Sequence, residues 1–177
     1  MKKLITLLLL GLLPIPLLAQ TPTANPREEM KKLDWLVGQW KGQSWIELAP
    51  GQRRTSNSTE SVQSKVGGSV LLIEGLHKGK RPGQEEEVVT HDALALLLYD
   101  EKAKRYRFVT YTAGQGYGEY EVKLVEGGWQ WELPSPAGSV RFTIKRTDKG
   151  AWFESGEISQ DGKSWRQFFE MTLQRVK

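Results

Sequence analysis

The feature that most constrains this chain is the regular punctuation of its sequence after Gln39. Runs of alternating or fully apolar residues, rich in Val, Ile, Thr, Tyr, Phe and Trp, start near Gln39, Arg54, Ser69, Val88, Lys104, Tyr117, Gly128, Gly138, Gly150 and Ser164. Between them lie breakers such as Ala49-Pro50-Gly51, Gly67-Gly68, Arg81-Pro82-Gly83, Gly114-Gln115-Gly116, Gly127-Gly128 and Asp161-Gly162-Lys163. These are strand and turn signals, and the starts recur about every 14 residues, which leaves no room for crossover helices. Ten strands that follow one another through short turns pair antiparallel with their neighbours.

Alternation sorts the faces. Trp129, Trp131 and Leu133 share one side, as do Val140, Phe142 and Ile144, with Arg141, Thr143 and Lys145 opposite. The last strand is expected to place Trp165, Phe169, Met171 and Leu173 inward and Arg166, Glu170, Thr172 and Gln174 outward. An antiparallel sheet this wide with one apolar face folds into two layers or closes, and closure removes the edges that template aggregation. An up-and-down barrel is therefore the expected all-β architecture. Eight strands already hold one small ligand, so ten imply a cavity.

Before the strands, Lys2 and Lys3 precede an apolar run from Leu4 to Leu18, and Ala19 offers a small residue for cleavage. This reads as a signal peptide over 1–19. The run falls short of a membrane span and is interrupted by Pro14 and Pro16, so no stable membrane anchor is expected. The protein is expected to be periplasmic or secreted. Removing the leader lowers the formal net charge of +4 by two, and no basic cluster remains for nucleic acid. The 177 residues contain no cysteine, which excludes disulfides, thiol nucleophiles and cysteine-built zinc sites. Residues 20–38 form an N-terminal segment in which Met30, Leu33 and Leu36 recur every third position, predicting a short helix from Arg27 to Leu36 that stops at Gly38. The barrel domain is expected over 39–177.

The stretch Leu33-Asp34-Trp35-Leu36-Val37-Gly38-Gln39-Trp40-Lys41-Gly42 resembles the opening of calycin barrels, where a short helix leads into Gly-x-Trp on the first strand. Together with the Tyr99-Asp100 turn and the closing Ser159 to Trp165 segment before Phe168-Phe169-Glu170-Met171, it is similar to the nitrobindin-like branch of the lipocalin and fatty-acid-binding barrels, and to its secreted bacterial relatives. The resemblance spans nearly all of the chain after the leader. It implies that Trp40 plugs one end with Arg175 of the final strand stacked over it. Strict alternation then sends Trp45 outward unless a bulge intervenes near Gln43 or Ser44. Nitrobindins hold haem through a histidine on a late strand, but this chain has only His77 and His91. The implied ligand is missing, and a lone Met171 is a weak substitute. No cofactor is expected.

Chemistry-bearing motifs are sparse. His91 and Asp92 are neighbours and point to opposite faces of a strand. No nucleophile elbow exists, and no metal site is expected from two isolated histidines. Gly114 to Gly118 reads as a hairpin, because no helix follows to form a phosphate cradle. Three glutamates stand out within apolar or small-residue strands: Glu74, Glu154 and Glu157. Glu74 and Glu154 either face solvent or pair with Arg107 or Lys145, or one of them points inward unpaired, where desolvation raises its pKa and makes it a proton donor or a ligand anchor. Tyr106, Phe108, Trp131, Phe142 and Met171 fall on inward faces, either as plain core or as the lining of a ligand site with Glu74 and Glu154. The sequence thus points to an exported barrel that binds a small hydrophobic molecule. Two rivals stand beside it: an enzyme with isomerase or hydrolase-like chemistry driven by an inward glutamate, and a closed-core envelope protein acting through its surface.

Overall fold

The structure, a computed structural model, describes residues 24–176, so the leader expected over 1–19 lies outside the described residues. Ten strands follow in chain order: β1 Gly38–Glu47, β2 Arg53–Lys65, β3 Val70–Lys80, β4 Glu87–Asp100, β5 Arg105–Thr112, β6 Gly116–Val125, β7 Gly128–Ser135, β8 Gly138–Arg146, β9 Trp152–Ser159 and β10 Arg166–Arg175. Each pairs antiparallel with its sequence neighbours, and β1 also pairs with β10, so the sheet closes into a barrel. Local chemistry fixes the turns. Asp100 Oδ1 accepts from the Lys102 and Ala103 amides at 3.1 and 3.0 Å, and Asp161 Oδ1 accepts from those of Lys163 and Ser164, both at 2.8 Å. The Gly114–Gly116 segment is the β5–β6 hairpin, with the Gln115 amide donating to Thr112 O at 3.0 Å.

The N-terminal helix is shorter than its spacing suggested. Helix α1 covers Pro26–Lys31, capped by the Asn25 side chain, and a separate 3-10 turn covers Asp34–Leu36. Apolar residues exactly three apart drift around an α-helix, which has 3.6 residues per turn. Breaking into a tighter turn keeps Met30, Leu33 and Leu36 on one side, and all three are buried. Among the described residues no helix is long and apolar enough to cross a membrane.

This segment covers one end of the barrel. There Trp35, Trp40 and Trp152 meet edge to face in a triangle, with ring centroids 6.4, 6.2 and 5.8 Å apart. The Trp40 Nε1 donates to Leu36 O at 2.7 Å, and the Arg175 guanidinium lies 4.4 Å from the Trp40 ring centroid. Arg175 also donates to Val37 O and, at 2.6 Å, to Trp35 O. Gly38, at φ +142, has no side chain because a Cβ there would strike this guanidinium. The Gly-x-Trp motif and the last strand therefore form one closure. Alternation holds along β1, which carries no bulge, so Trp45 faces outward beneath Arg53 at 3.7 Å.

One facing assignment is corrected. A β-bulge between Gln167 and Phe169 shifts β10 against β9, so Trp165 lies outside, under the Arg141 guanidinium at 3.8 Å. The extra residue carries Trp165 across the sheet relative to Phe169, Met171 and Leu173.

Candidate functional site

Above the tryptophan floor the barrel is hollow. A cavity of about 670 Å³ runs from Trp129 and Trp152 to the opposite rim, where Leu48, Arg81 and Gln115 line it. Its two walls differ in chemistry.

The aromatic wall rises from the second half of the barrel. Trp131 of β7 stacks on Phe142 of β8 with centroids 4.8 Å apart and planes 15° from parallel. Tyr120 and Phe108 lie 4.7 and 5.2 Å from the same indole. Phe168 and Phe169 continue the surface, each 5.9 Å from Phe142. Gly156 makes this packing possible, since a Cβ there would lie 2.8 Å from a Phe142 ring carbon. Offset and tilted rings at these separations are the favoured aromatic geometries.

The facing wall carries most of the titratable groups. Glu60 of β2, His77 of β3 and His91 of β4 line it, and Glu154 of β9, the strand between β8 and β10, enters the cavity from the aromatic side. His77 Nε2 is 3.1 Å from Glu60 Oε1, and the His77 and His91 rings, opposite one another in the β3–β4 ladder, have centroids 4.8 Å apart. Glu60 and Glu154 are deepest, Glu60 opposite Trp40 in the β1–β2 ladder and Glu154 two residues above Trp152. Burial pushes the Glu60 carboxyl up to about 8. Burial also lifts Glu154 to about 8, the Glu60 charge adding to the rise and the Trp152 side chain opposing it. Desolvation lowers both histidines to about 4, with the neighbouring His77 contributing at His91. At neutral pH all four groups are therefore uncharged.

Gly75 is part of this arrangement. It faces Glu60 across the β2–β3 ladder, and a Cβ there would lie 2.8 Å from Glu60 Oε1. Gly75→Ala is expected to displace the Glu60 carboxyl from His77 and to destabilise the barrel by about 1–3 kcal/mol, as overpacking does elsewhere. Urea denaturation of the variant measures this. A midpoint equal to that of the unaltered protein would mean that Glu60 has room to move.

The residues singled out from the sequence divide clearly. Phe108, Trp131, Phe142, Met171 and Glu154 line the cavity. Tyr106 does not; it lies at the closed end, where its hydroxyl donates to Glu29 Oε2 at 2.5 Å and is held above the usual phenol range by burial and by that contact. Glu74 is exposed on the outer face, near the Gln63 amide at 3.3 Å. Arg107 is also outside, paired with Glu119 and with Asp100 at 3.5 Å. Glu154 has neither Arg107 nor Lys145 as a partner, because it points the other way. Glu60 was not singled out, and its pairing with His77 becomes visible only once β2 and β3 are in register. The signal that existed was the shared parity of Gly75, His77 and Gly79 on β3, two glycines of which make way for β2 side chains.

The donor set does not match the haem site that the family resemblance implies. Both cavity histidines come from β3 and β4 and not from a late strand, and His77 Nε2 is already engaged by Glu60. Among the described residues, no three His, Cys, Asp or Glu side chains are arranged to hold a metal ion.

No protein-family model matches this chain, and no curated protein matches it either. Among solved structures the chain is similar to Rv2717c from M. tuberculosis, with a TM-score of 0.58 at 12% identity, over 84% of this chain and 97% of that one. The closed ten-stranded antiparallel sheet and that likeness are consistent with a calycin-like barrel fold.

Proposed function

We propose that this protein binds a small molecule with a flat apolar body and a polar end, and that the leader over residues 1–19 directs it out of the cytoplasm to do so. The observation that carries the reading is the two-sided cavity: an aromatic wall centred on Trp131 and Phe142 faces the Glu60–His77 pair, and Glu154 adds a second carboxyl at the floor. Binding sites for small molecules combine a mostly apolar lining with a few placed polar groups, and about 670 Å³ is within their usual volume range. The closed-core alternative expects an interior no larger than a few waters, so a cavity of about 670 Å³ favours the ligand-binding reading over it.

Native mass spectrometry of protein purified from its own host under mild conditions tests the reading. A retained adduct of roughly 200–400 Da is expected, and Trp131→Ala is expected to lose it. A bare mass for the unaltered protein would overturn the assignment.

A second reading has an observation in its favour. Two carboxyls that stay protonated at neutral pH in an open apolar cavity, one of them hydrogen-bonded to a neutral imidazole, are what a proton-transfer enzyme needs. Glu60 and His77 would then pass a proton to and from a bound carbonyl compound.

A further inference from the structure

We propose that the cavity floor recognises an organic cation, an amine or ammonium group on a flat apolar body, seated between Glu60 and Glu154. The inference rests on the ligand-binding reading above and narrows it to a chemical class.

Charge placement is the first argument. Both floor carboxyls look into the cavity, and among the described residues no basic side chain reaches them. The cations that line the cavity, Arg54, Lys80 and Arg81, belong to its rim. Elsewhere, Arg53 covers Trp45, Arg107 pairs with Glu119, Arg141 pairs with Glu157 and Arg175 sits over Trp40 beneath the floor. Around the two glutamates, β1 contributes Ser44, β3 His77, β4 His91 and β10 Met171, none of them positively charged at neutral pH. Glu60 and Glu154 thus form an acidic floor without a counterion. A ligand carboxylate there would meet two acids and no partner, and it would find its cations only at the rim.

The second argument is an unmade hydrogen bond. The indole N–H of Trp152, a residue only 3% exposed, lies close enough to the Glu154 carboxyl to hold its pKa down but does not complete a well-aligned hydrogen bond there; the Trp129 N–H, in a residue 2% exposed, has no partner among the described residues. Buried donors are seldom left unpaired. A Glu154 carboxylate, turned toward Trp152, would accept this N–H, whereas the neutral acid has less capacity to do so. The carboxylate in turn needs a positive charge nearby, because an unpaired buried charge is strongly disfavoured. A ligand ammonium supplies it. The aromatic wall adds to this, since the faces of Trp131, Phe142 and Tyr120 attract cations as well as flat hydrocarbon.

The proton balance is explicit. A protonated amine enters as the ammonium, one floor carboxyl gives its proton to solvent and remains as the carboxylate, and no covalent bond changes. Binding near neutral pH should therefore release about one proton.

Three probes sharing one ring system test the proposal by isothermal titration calorimetry: 2-naphthylmethylamine, 2-naphthylmethanol and 2-naphthoate. At pH 7 the amine is expected to bind the unaltered protein at least roughly tenfold more tightly than the alcohol, with naphthoate weakest. In buffers of different ionisation enthalpy, the amine should release about one proton and the alcohol none. Glu154→Gln and Glu60→Gln are each expected to reduce the ratio of amine to alcohol affinity toward one. Should one variant lose its β-sheet circular dichroism, the other and the proton count of the unaltered protein still decide the matter. An alcohol or naphthoate that binds as tightly as the amine, or an amine preference that survives both substitutions, overturns the cation site while the ligand-binding reading stands. Failure of all three probes to bind overturns the cation site and counts against the ligand-binding reading too.

Discussion

Trp40→Ala is expected to destabilise the barrel by about 3–5 kcal/mol, the range for removing a large buried aromatic. Trp40 is 1% exposed and does three things at once. It fills the closed end against Trp35 and Trp152, it donates from Nε1 to Leu36 O, and it supports the Arg175 guanidinium. Truncation leaves a void beneath the cavity floor and removes the partner of a carbonyl in the 3-10 turn. Urea denaturation should show the loss as a lower midpoint with a nearly unchanged slope. Trp40→Phe separates the contributions, because it keeps much of the volume and deletes the hydrogen bond, so about 1 kcal/mol of its loss is assignable to the N–H. If Trp40→Ala shifts the midpoint by less than about 1 kcal/mol equivalent, the triangle is not what holds this end together.

The second large effect is on pH. Glu60 and Glu154 titrate near 8 in the folded barrel and near 4.5 in the unfolded chain, so between those values the folded state holds more protons. Stability contributed by these groups is thus greatest at low pH and is lost as pH rises toward 8. His77 and His91 act in the opposite sense: they titrate near 4 when folded and near 6.5 when unfolded, so their contribution is present above 6.5 and lost as pH falls toward 4. From pH 4.5 to 6.5 two extra protons on the folded state are offset by two on the unfolded chain, and this cluster contributes a nearly level profile. From 6.5 to 8 only the glutamates count, and stability should fall by on the order of 3 kcal/mol, at about 1.4 kcal/mol per proton and pH unit. Denaturation midpoints measured at half-unit intervals read this directly. Glu154→Gln should roughly halve the decline, and a profile that is level or rising from pH 6.5 to 8 would show that the two carboxyls ionise as they do in water.

The strand succession is legible in the sequence because turns are local. An Asp that caps its own turn, or a glycine at positive φ, needs no distant partner, and every breaker lies within a few residues of a strand end. Facing is legible where alternation is clean, as in Trp129 to Leu133 and Val140 to Ile144. It fails at Trp165 because a bulge, which depends on the neighbouring strand, changes the parity. It fails for the polar wall for a different reason. Sorting faces by hydrophobicity assumes that the interior is apolar, yet β2 turns Ser58 and Glu60 inward, while β3 turns Leu72 and Leu76 away from the cavity and Gly75 and His77 toward it. A hollow barrel with a polar wall inverts the rule on the strands that make that wall. Glu74, with Leu72 and Leu76 on its own face, therefore stands out in the sequence as a buried acid, and Glu60, between Thr59 and Ser61, does not. Glu154 is legible as one of two alternatives, because parity alone cannot choose between them.

The clasp of Arg175 on Trp35 and Val37 joins positions 140 and 138 residues apart along the chain. Neighbouring hairpins can each form from a short stretch, whereas the seam between β1 and β10 carries the largest loop-closure entropy of any strand pair in the barrel. The tryptophan floor is finished only when that seam forms. The burial that raises the pKa of Glu60 on one flank and Glu154 on the other therefore depends on this seam being closed. A chain that stalls before this step is an open sheet with two unpaired edges, and completing the seam both removes those edges and creates the binding chamber.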